Sequence, residues 1–351
     1  MIDAKNWAAR LGVSREAAEL VAANDVIDLH LDTFIWTRLF GYDFSKRHGK
    51  GPFGARFMFQ SDLPRLVEGG IDSAFWSITT NPWRPARSRP RTFAGNLARL
   101  RSLFESEPMI EHVTTMTEYR AARAAGKHAA WISIQGGNCF TQADQLLAIP
   151  DDSVVQITLV HLSTSPLGTT SAPDPIPRGG GKGLTAFGKE FVAACDAARI
   201  LVDLAHIHPE GFWDAVKVHD ASLPLIDTHT GVTGVTPHWR NIDDDQIRAI
   251  ADTGGTIGII FSCNFLGGPF IGGDDTNRLF AHIDHVIDVA GEDHVSLGSD
   301  WDGAITTPRD MPTVLELPVL VQHMLDAGWT DTRIAKVLSG NALRVLEAIR
   351  P

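Results

Sequence analysis

Short apolar runs alternate along the chain with segments whose apolar residues recur every three or four positions. The first pattern is typical of buried strands and the second of amphipathic helices. Strands are predicted at residues 26–33, 71–79, 129–135, 153–161, 200–206, 223–230, 254–262 and 294–300. Helices are predicted between them at 93–106, 186–199, 209–219, 243–253 and 276–290.

This alternation predicts an α/β fold. Eight strands separated by helices favour a closed parallel (β/α)8 TIM-like barrel over an open doubly wound sheet. A chain of 351 residues without an internal repeat or a clear linker is predicted to form a single domain, 1–351, with an N-terminal helical extension at 1–24. Long loops are predicted at 34–60 and 162–183, after strands, where the loops of a barrel shape a substrate pocket.

The amino-acid composition excludes some classes of binding partner and indicates a cellular location. The content of hydrophobic residues is 44% and that of charged residues 21%, as in ordinary globular proteins. A net charge of −11 argues against nucleic acid and anionic membranes as partners. Cys139, Cys195 and Cys263 are widely separated, so we expect buried thiols of a reducing compartment. Because the N-terminus lacks a signal-peptide pattern, the predicted location is the cytoplasm.

Residues that can bind a metal occur where the predicted strands end. His30 and Asp32 are two positions apart, which places both side chains on one face of a strand. Further polar residues end other strands: Gln135, His161, His206, His229 and Asp300. Polar groups aimed into a barrel are costly unless they bind something, and imidazole with carboxylate suits zinc. A metal site is therefore predicted at one end of the barrel.

Other candidate residues are interpreted as structural. His282 and His285 are predicted to face solvent on a polar helix, and His208 to begin a helix. Asp243 is predicted to start the helix that follows it, because an acid there faces the positive end of the helix dipole. The glycine-rich run 179–183 is predicted to be a lid hinge and not a phosphate loop. No G-x-S-x-G sequence occurs, so a serine nucleophile is not expected.

The ordered set of motifs resembles the membrane (renal) dipeptidase family, metal-dependent hydrolases of the amidohydrolase type. The motifs spread over residues 25–345 and are Asp28–Asp32 (DLHLD), Ile134–Gly137 (IQGG), Ile157–His161 (ITLVH), Gly183–Gly188 (GLTAFG), Val202–His206 (VDLAH), Pro224–His229 (PLIDTH), Arg240-Asn241 (RN) and Gly298–Gly303 (GSDWDG). The resemblance implies a (β/α)8 barrel that carries two zinc ions.

The resemblance also implies metal ligands. His30 and Asp32 would bind one ion, and His206 and His229 the other. Gln135 stands where the family has a bridging glutamate. A neutral amide offers no charge to two neighbouring cations, so the affinity for at least one should drop.

Three outcomes therefore stay open for the metal content. One ion could remain, held by His206 and His229 or by His30, Asp32 and Asp300; both could bind weakly; or the site could be empty and repurposed. We favour one zinc ion or two weakly held ones. The pair His30 and Asp32 is expected to be the half that loses more from the absence of a bridging carboxylate.

The remaining roles implied by the resemblance concern the substrate. His161 matches the histidine that polarises the substrate carbonyl, and Arg240 the arginine that holds the substrate's carboxylate. Asp300 matches the acid/base carboxylate, with Asp302 as the weaker alternative.

The function implied is metal-dependent hydrolysis of the amide bond of a dipeptide or similar small carboxylate-bearing substrate by a metal-activated water. Two alternatives stay open: a hydrolase of a non-peptide amide, ester or lactone, and a catalytically silent barrel that binds a small ligand. The family suggests a homodimer.

Overall fold

The computed structural model describes residues 3–80, 84–173, 181–269 and 275–351. The strands are β1 (Ile27–Leu31), β2 (Ser73–Thr79), β3 (Ile110–His112), β4 (His128–Gln135), β5 (Val154–Thr158), β6 (Leu201–Asp203), β7 (Ile226–Thr230), β8 (Thr256–Ile259) and β9 (Val295–Leu297). The helices are α1 (Ala4–Leu11), α2 (Arg15–Ala23), α3 (Thr33–Phe40), α4 (Leu63–Glu68), α5 (Arg89–Glu105), α6 (Met116–Ala124), α7 (Ala186–Ala197), α8 (Pro209–Val218), α9 (Asp244–Asp252), α10 (Thr276–Ala290), α11 (Pro318–Asp326), α12 (Asp331–Ala335) and α13 (Asn341–Ile349).

The strands close into a parallel barrel. Their order is β2-β1-β9-β8-β7-β6-β5-β4, and the parallel pairing of β2 with β4 closes the ring. The short strand β3 pairs with the first residues of β4 outside this ring. Every predicted strand matches one strand of the ring, so the prediction of a (β/α)8 barrel is confirmed.

Five of the eight predicted strands extend too far at their C-terminal ends, whereas the ends predicted at 79, 135 and 230 are confirmed. β5 ends at Thr158, β6 at Asp203 and β9 at Leu297, whereas His161, His206 and Asp300 were assigned to them. These polar residues instead follow the strands, in the loops over the barrel mouth. His206 and Asp300 have φ values of 65° and 60°, which no strand accommodates.

Two further predictions need correction. The loop predicted at 34–60 is wrong over α3, a helix that begins directly after Asp32 and ends at Gly41 with φ 70°. β3 was missed because only one of its three residues is buried, which leaves no alternating pattern. Of the predicted lid hinge, residues 179 and 180 lie outside the described residues.

The predicted helices between the strands are confirmed. Asp243 accepts a hydrogen bond from the backbone N–H of Gln246, whose side chain accepts from Asp243 in return. His208 begins α8 as predicted. All three cysteines are buried.

The predicted exposure of His282 is wrong, and His285 is exposed only in part. His282 is fully buried, and its Nδ1 accepts a hydrogen bond from the backbone N–H of Val232 at 2.9 Å. A buried loop N–H needs such an acceptor. His285 is partly buried and lies 2.8 Å from Asp244 Oδ1. Among the described helices, none combines the length and the apolar character that crossing a membrane would require.

A buried histidine in the barrel wall makes stability depend on pH. The indole N–H of Trp76 donates to His128 Nε2 at 3.0 Å, and His128 Nδ1 donates to the carbonyl of Ile71 at 2.9 Å. This pair of bonds requires the neutral ring, and burial lowers the pKa of His128 to about 4. Because the unfolded chain binds a proton more readily, the stabilisation is present above pH 6.5 and is lost as the pH falls towards 4.

We therefore predict that His128→Gln removes part of the acid sensitivity of folding. The amide can still accept from Trp76 and donate to Ile71, but it does not titrate. The contribution of His128 to the pH dependence of the unfolding free energy is about 3 kcal/mol from neutral pH to below pH 4. Urea unfolding of both proteins at several pH values measures it. Parallel curves for the two proteins would contradict the prediction.

Candidate metal centre and active site

The predicted ligands of the first ion lie together at the C-terminal end of the barrel. His30 Nε2 is 3.6 Å from Asp32 Oδ1 and 3.9 Å from Asp300 Oδ1. All three residues are buried, and neither ring nitrogen of His30 has a hydrogen-bond partner among the described residues. Donor atoms of His30, His229 and Asp300 lie within 4.8 Å of one another, close enough to ligate one cation.

The predicted ligands of the second ion adjoin the first group. The Nε2 atoms of His206 and His229 are 2.9 Å apart, and Gln135 Nε2 lies 3.4 Å and 3.3 Å from them. The rings of His30 and His229 stack with their centroids 3.9 Å apart. The structure thus brings together all five residues that the sequence suggested as ligands.

The protonation of these histidines fits a cation. Burial, followed by the neighbouring cationic groups, holds the pKa of His206 and of His229 well below its usual value. If both neutral rings direct an Nε2 lone pair at each other, the two lone pairs repel, so a proton or a cation must lie between them. The Gln135 Oε1 atom is buried without a described partner and is a further oxygen donor. The donor set therefore fits a divalent metal such as zinc.

A hydrogen-bonded network inside the barrel orients His229. Its Nδ1 lies 2.8 Å from Thr228 Oγ1, and that hydroxyl donates to Asp203 Oδ2 at 2.7 Å. Because the hydroxyl proton is used on Asp203, Nδ1 of His229 must be the donor, which leaves a lone pair on Nε2. Asp203 also accepts from Gln156 Nε2 at 2.7 Å and from Thr158 Oγ1 at 2.5 Å.

Two glycines make room for this network. A Cβ atom on Gly258 or Gly298 would lie 2.0 Å or 1.8 Å from the carbonyl oxygen of Thr228. The pairing of β7 with β8 shifts register between Asp227 and Thr230. The Thr228 peptide therefore occupies space that side chains on β8 and directly after β9 would otherwise fill.

The surroundings of Asp300 and Asp32 shift the pKa values of the two carboxyl groups in opposite directions. Burial, and then the charge of Asp32, raises the pKa of Asp300 well above its usual value. Burial also acts on Asp32, but the neighbouring His30 and a hydrogen bond from Thr79 outweigh it and lower the pKa of Asp32. Two carboxyl groups with pKa values pushed apart are typical of an acid/base site. The left-handed backbone of Asp300 is strained, as is common in active sites.

Asp302, the alternative acid/base, is occupied by structural hydrogen bonds. It accepts from Thr33 Oγ1 at 2.7 Å, from the backbone N–H of Gln60 at 2.8 Å and from Ser61 Oγ at 2.9 Å. These bonds attach the start of α3 and the segment that follows α3 to the loop after β9. The geometry therefore favours Asp300 over Asp302 for proton transfer.

His161 lies beside His206, with the two rings edge to face and their centroids 4.7 Å apart. Burial lowers the pKa of His161 to about 4, so the ring is neutral. Gly136, at φ 93°, leaves room for Thr80 and His161, because a Cβ there would lie 2.7 Å from Thr80 Oγ1 and 3.1 Å from His161 Cβ.

Arg240 is buried behind His229 and donates to its carbonyl oxygen. Burial lowers the pKa of Arg240, and Asp227 and Asp300 oppose that shift. The described residues that line the cavity over the site do not include Arg240.

That cavity has a volume of about 470 Å³ and opens above the clustered ligands. Its floor contains Asp32, Gln135, His161, His206 and Asp300. Its walls are mainly apolar and include Ile35, Trp36, Leu39, Phe40, Leu162, Phe265 and Ile305.

The sequence model of the membrane dipeptidases, peptidase family M19, matches residues 14–350. The chain belongs to the membrane dipeptidase family. An uncharacterized protein in the pqqA 5' region of Klebsiella pneumoniae is 38% identical over 171 residues, which is 48% of this chain and 62% of that relative. The chain thus matches less than two thirds of the length of this curated relative.

Solved structures agree with the family assignment. A metallopeptidase dipeptidase of family M19 is 27% identical, with a TM-score of 0.80 over 93% of this chain and 99% of that one. A metallopeptidase from Rhodobacter sphaeroides, bound to a phosphinate mimic of the dipeptide L-Ala-D-Ala, is 26% identical with the same TM-score and the same coverage of both chains. Membership in a family of metallopeptidases implies that the protein uses a metal.

For this membrane dipeptidase family member, sequence reasoning missed Asp203 and Thr228 as supports of the site. Both lie within motifs of the resemblance, and Asp203 directly follows apolar residues of β6. The sequence could have indicated the role of Asp203, because a carboxylate predicted to lie inside a barrel must have hydrogen-bond partners there.

We predict that Thr228→Val weakens metal binding about 10- to 100-fold, because it removes the acceptor that holds His229 Nδ1. Thr228→Ser keeps the hydroxyl and is the matched control, with binding near that of the parent. Competition with a chromophoric chelator measures both affinities. Equal affinity of the valine and serine variants would show that the hydroxyl does not orient His229.

Proposed function

We propose that the protein hydrolyses dipeptides with a free C-terminal carboxylate, using the clustered residues at the barrel mouth. The observation that carries this proposal is the convergence of five metal-ligand candidates with Asp300 at one end of the barrel, where Asp32, Gln135, His206 and Asp300 line a single cavity. The M19 relative from Rhodobacter sphaeroides binds a mimic of L-Ala-D-Ala. We therefore include dipeptides with a D-residue at the C-terminal position among the substrates.

The proposed metal is zinc, with one tightly held ion and a weaker second site. When bound, the metal lowers the pKa of a water molecule and polarises the substrate carbonyl. His30 and Asp32, with Asp300 beside them, combine an imidazole with carboxylates. His206, His229 and Gln135 are all neutral donors. We place the tighter ion at the half of the site that contains His30 and Asp32, because its carboxylates attract a cation. The sequence had suggested the opposite, that this half loses more metal affinity without a bridging carboxylate.

The roles proposed for the other residues follow from their chemistry. Asp300 accepts the proton of the attacking water and returns it to the leaving amine, which its raised pKa favours. His161, as a neutral ring, donates a hydrogen bond to the carbonyl oxygen as negative charge develops there. The guanidinium of Arg240 attracts the substrate carboxylate from behind His229.

Dipeptides with matched blocked analogues test the proposed function. Zinc-loaded protein is incubated with L-Ala-D-Ala, its N-acetyl form, its C-terminal amide, and an ester and a lactone. We expect release of alanine from the free dipeptide and little from the amide. Turnover of only the ester or lactone would replace the proposal with the alternative hydrolase. Binding without turnover of any compound would instead indicate a silent barrel.

We also propose that the protein is a cytoplasmic homodimer. The family resemblance suggests a homodimer, and the buried thiols and acidic charge support a cytoplasmic protein without nucleic-acid or membrane partners. Sedimentation of the purified protein measures the assembly state.

A further inference from the structure

We infer that the site selects dipeptides with a long apolar side chain; this inference rests on the proposed function and names its substrate class. The observation behind it is an apolar wall formed by α3 and the residue after His161. We call this wall the α3 wall and define it as Trp36, Leu39, Phe40 and Leu162, which all line the cavity.

The large apolar side chains of the α3 wall are exposed to solvent. Phe40 is 71% exposed, Leu39 59% and Leu162 47%. Large apolar residues clustered at the rim of a polar site mark a surface that a ligand covers. Because these side chains adjoin the clustered ligands, the occupant they fit is the substrate whose amide lies on the cavity floor.

Contacts within the protein hold Trp36 and Phe40 of the wall in place. The indole N–H of Trp36 donates to the carbonyl oxygen of Asp302 at 2.6 Å, and the ring of Phe40 stacks on that of Trp36 with centroids 5.5 Å apart. A preformed apolar surface loses little conformational entropy when it is covered, so its contact contributes to selectivity.

The dimensions favour a long side chain over a short one. Leu39 lies two helical turns beyond Asp32, or roughly 10 Å along α3 at 1.5 Å per residue. An extended dipeptide spans only about 7 Å. An alanine side chain therefore leaves much of the wall uncovered, whereas a chain of four carbons reaches it.

The charged groups that line the cavity disfavour an ionic side chain on the substrate. In the part of the chain that the structure describes, no lysine or arginine lines the cavity. Its carboxylates are Asp32 and Asp300 on the floor and Asp302, whose oxygens accept bonds from the protein itself. A lysyl or glutamyl side chain against the α3 wall would lose water without gaining a counter-ion.

Norleucine and lysine provide the sharpest comparison, because their side chains have the same carbon skeleton and differ in the ammonium group. Two pairs of dipeptides are compared with zinc-loaded protein. The first pair is L-norleucyl-D-alanine with L-lysyl-D-alanine, and the second is L-alanyl-D-norleucine with L-alanyl-D-lysine. In one of the two pairs we expect kcat/KM to be at least about tenfold higher for the norleucine member. L-Ala-D-Ala should fall below the better norleucine substrate. Equal rates, or a preference for lysine, would overturn the inference while leaving dipeptide hydrolysis intact.

A variant of the wall ties the preference to these residues. Leu39→Asp should shift the norleucine-to-lysine ratio about tenfold towards lysine, because it adds an anion beside the side chain. Leu147→Asp is the matched control, since Leu147 is 83% exposed and lies outside the cavity lining. An unchanged ratio in Leu39→Asp would overturn the inference. If Leu39→Asp converted a dimer to a monomer and left the norleucine-to-lysine ratio unchanged, the inference would also be overturned, because the wall would then be a subunit interface.

Calorimetric binding of the same dipeptides separates this inference from the proposed function. If no dipeptide is hydrolysed but the norleucine member binds more tightly, the proposed function fails and the selectivity of the wall stands. If binding shows no preference, the inference fails whether or not turnover occurs.

Discussion

Replacing Asp300 with asparagine is expected to lower kcat for dipeptide hydrolysis about 10²- to 10⁴-fold in the folded, zinc-loaded protein. Asparagine keeps the shape of the side chain and one oxygen near His30 but cannot carry the proton between water and the leaving amine. Asp300 is suited to that transfer because burial and the nearby Asp32 raise its pKa. Steady-state kinetics at a fixed zinc occupancy measures the effect.

Asp302→Asn provides the contrast for this experiment. Asp302 accepts hydrogen bonds from Thr33, Gln60 and Ser61, so its loss should lower the unfolding free energy by about 1–3 kcal/mol and change kcat much less than Asp300→Asn does. If Asp302→Asn abolished turnover and Asp300→Asn did not, the two residues would have to exchange roles.

Replacing Gln135 with glutamate is expected to strengthen the weaker metal site about 10- to 100-fold. The Gln135 amide lies within 3.4 Å of both His206 and His229, and a carboxylate there supplies the negative charge that this half lacks. The zinc content of the purified protein should rise towards two ions per chain. Chelator competition and elemental analysis measure the affinity and the content.

Gln142→Glu is the matched control, because it makes the same change of charge at an exposed position after β4. It should leave zinc content and affinity unchanged. An identical effect of both variants would mean that net charge, and not the position of the carboxylate, determines the affinity. No gain in zinc from Gln135→Glu would contradict the assignment of Gln135 to the metal centre.

The barrel could be predicted from the sequence because its strands are buried and carry continuous apolar runs between amphipathic helices. The convergence of the ligands followed from the rule that the C-terminal ends of parallel strands face one mouth. His30 and Asp32 therefore could be paired with Asp300, although β1 and β9 are distant in sequence.

Other features depended on tertiary contacts that no local pattern encodes. The hydrogen bond that His282 Nδ1 accepts from the backbone N–H of Val232 joins α10 to the segment after β7. The orientation of His229 depends on Thr228 and Asp203. It also depends on the absence of side chains at Gly258 in β8 and at Gly298, directly after β9. The α3 wall was hidden because the segment after Asp32 was predicted to be a loop.

The rate of L-Ala-D-Ala hydrolysis during titration of the metal-free protein with zinc tests the central claim most directly. We predict no hydrolysis before zinc is added, a steep rise up to about one zinc ion per chain, and a smaller rise beyond it as the neutral half fills. A full rate in the metal-free protein, or no hydrolysis at saturating and demonstrably bound zinc, would contradict a metal-dependent dipeptidase.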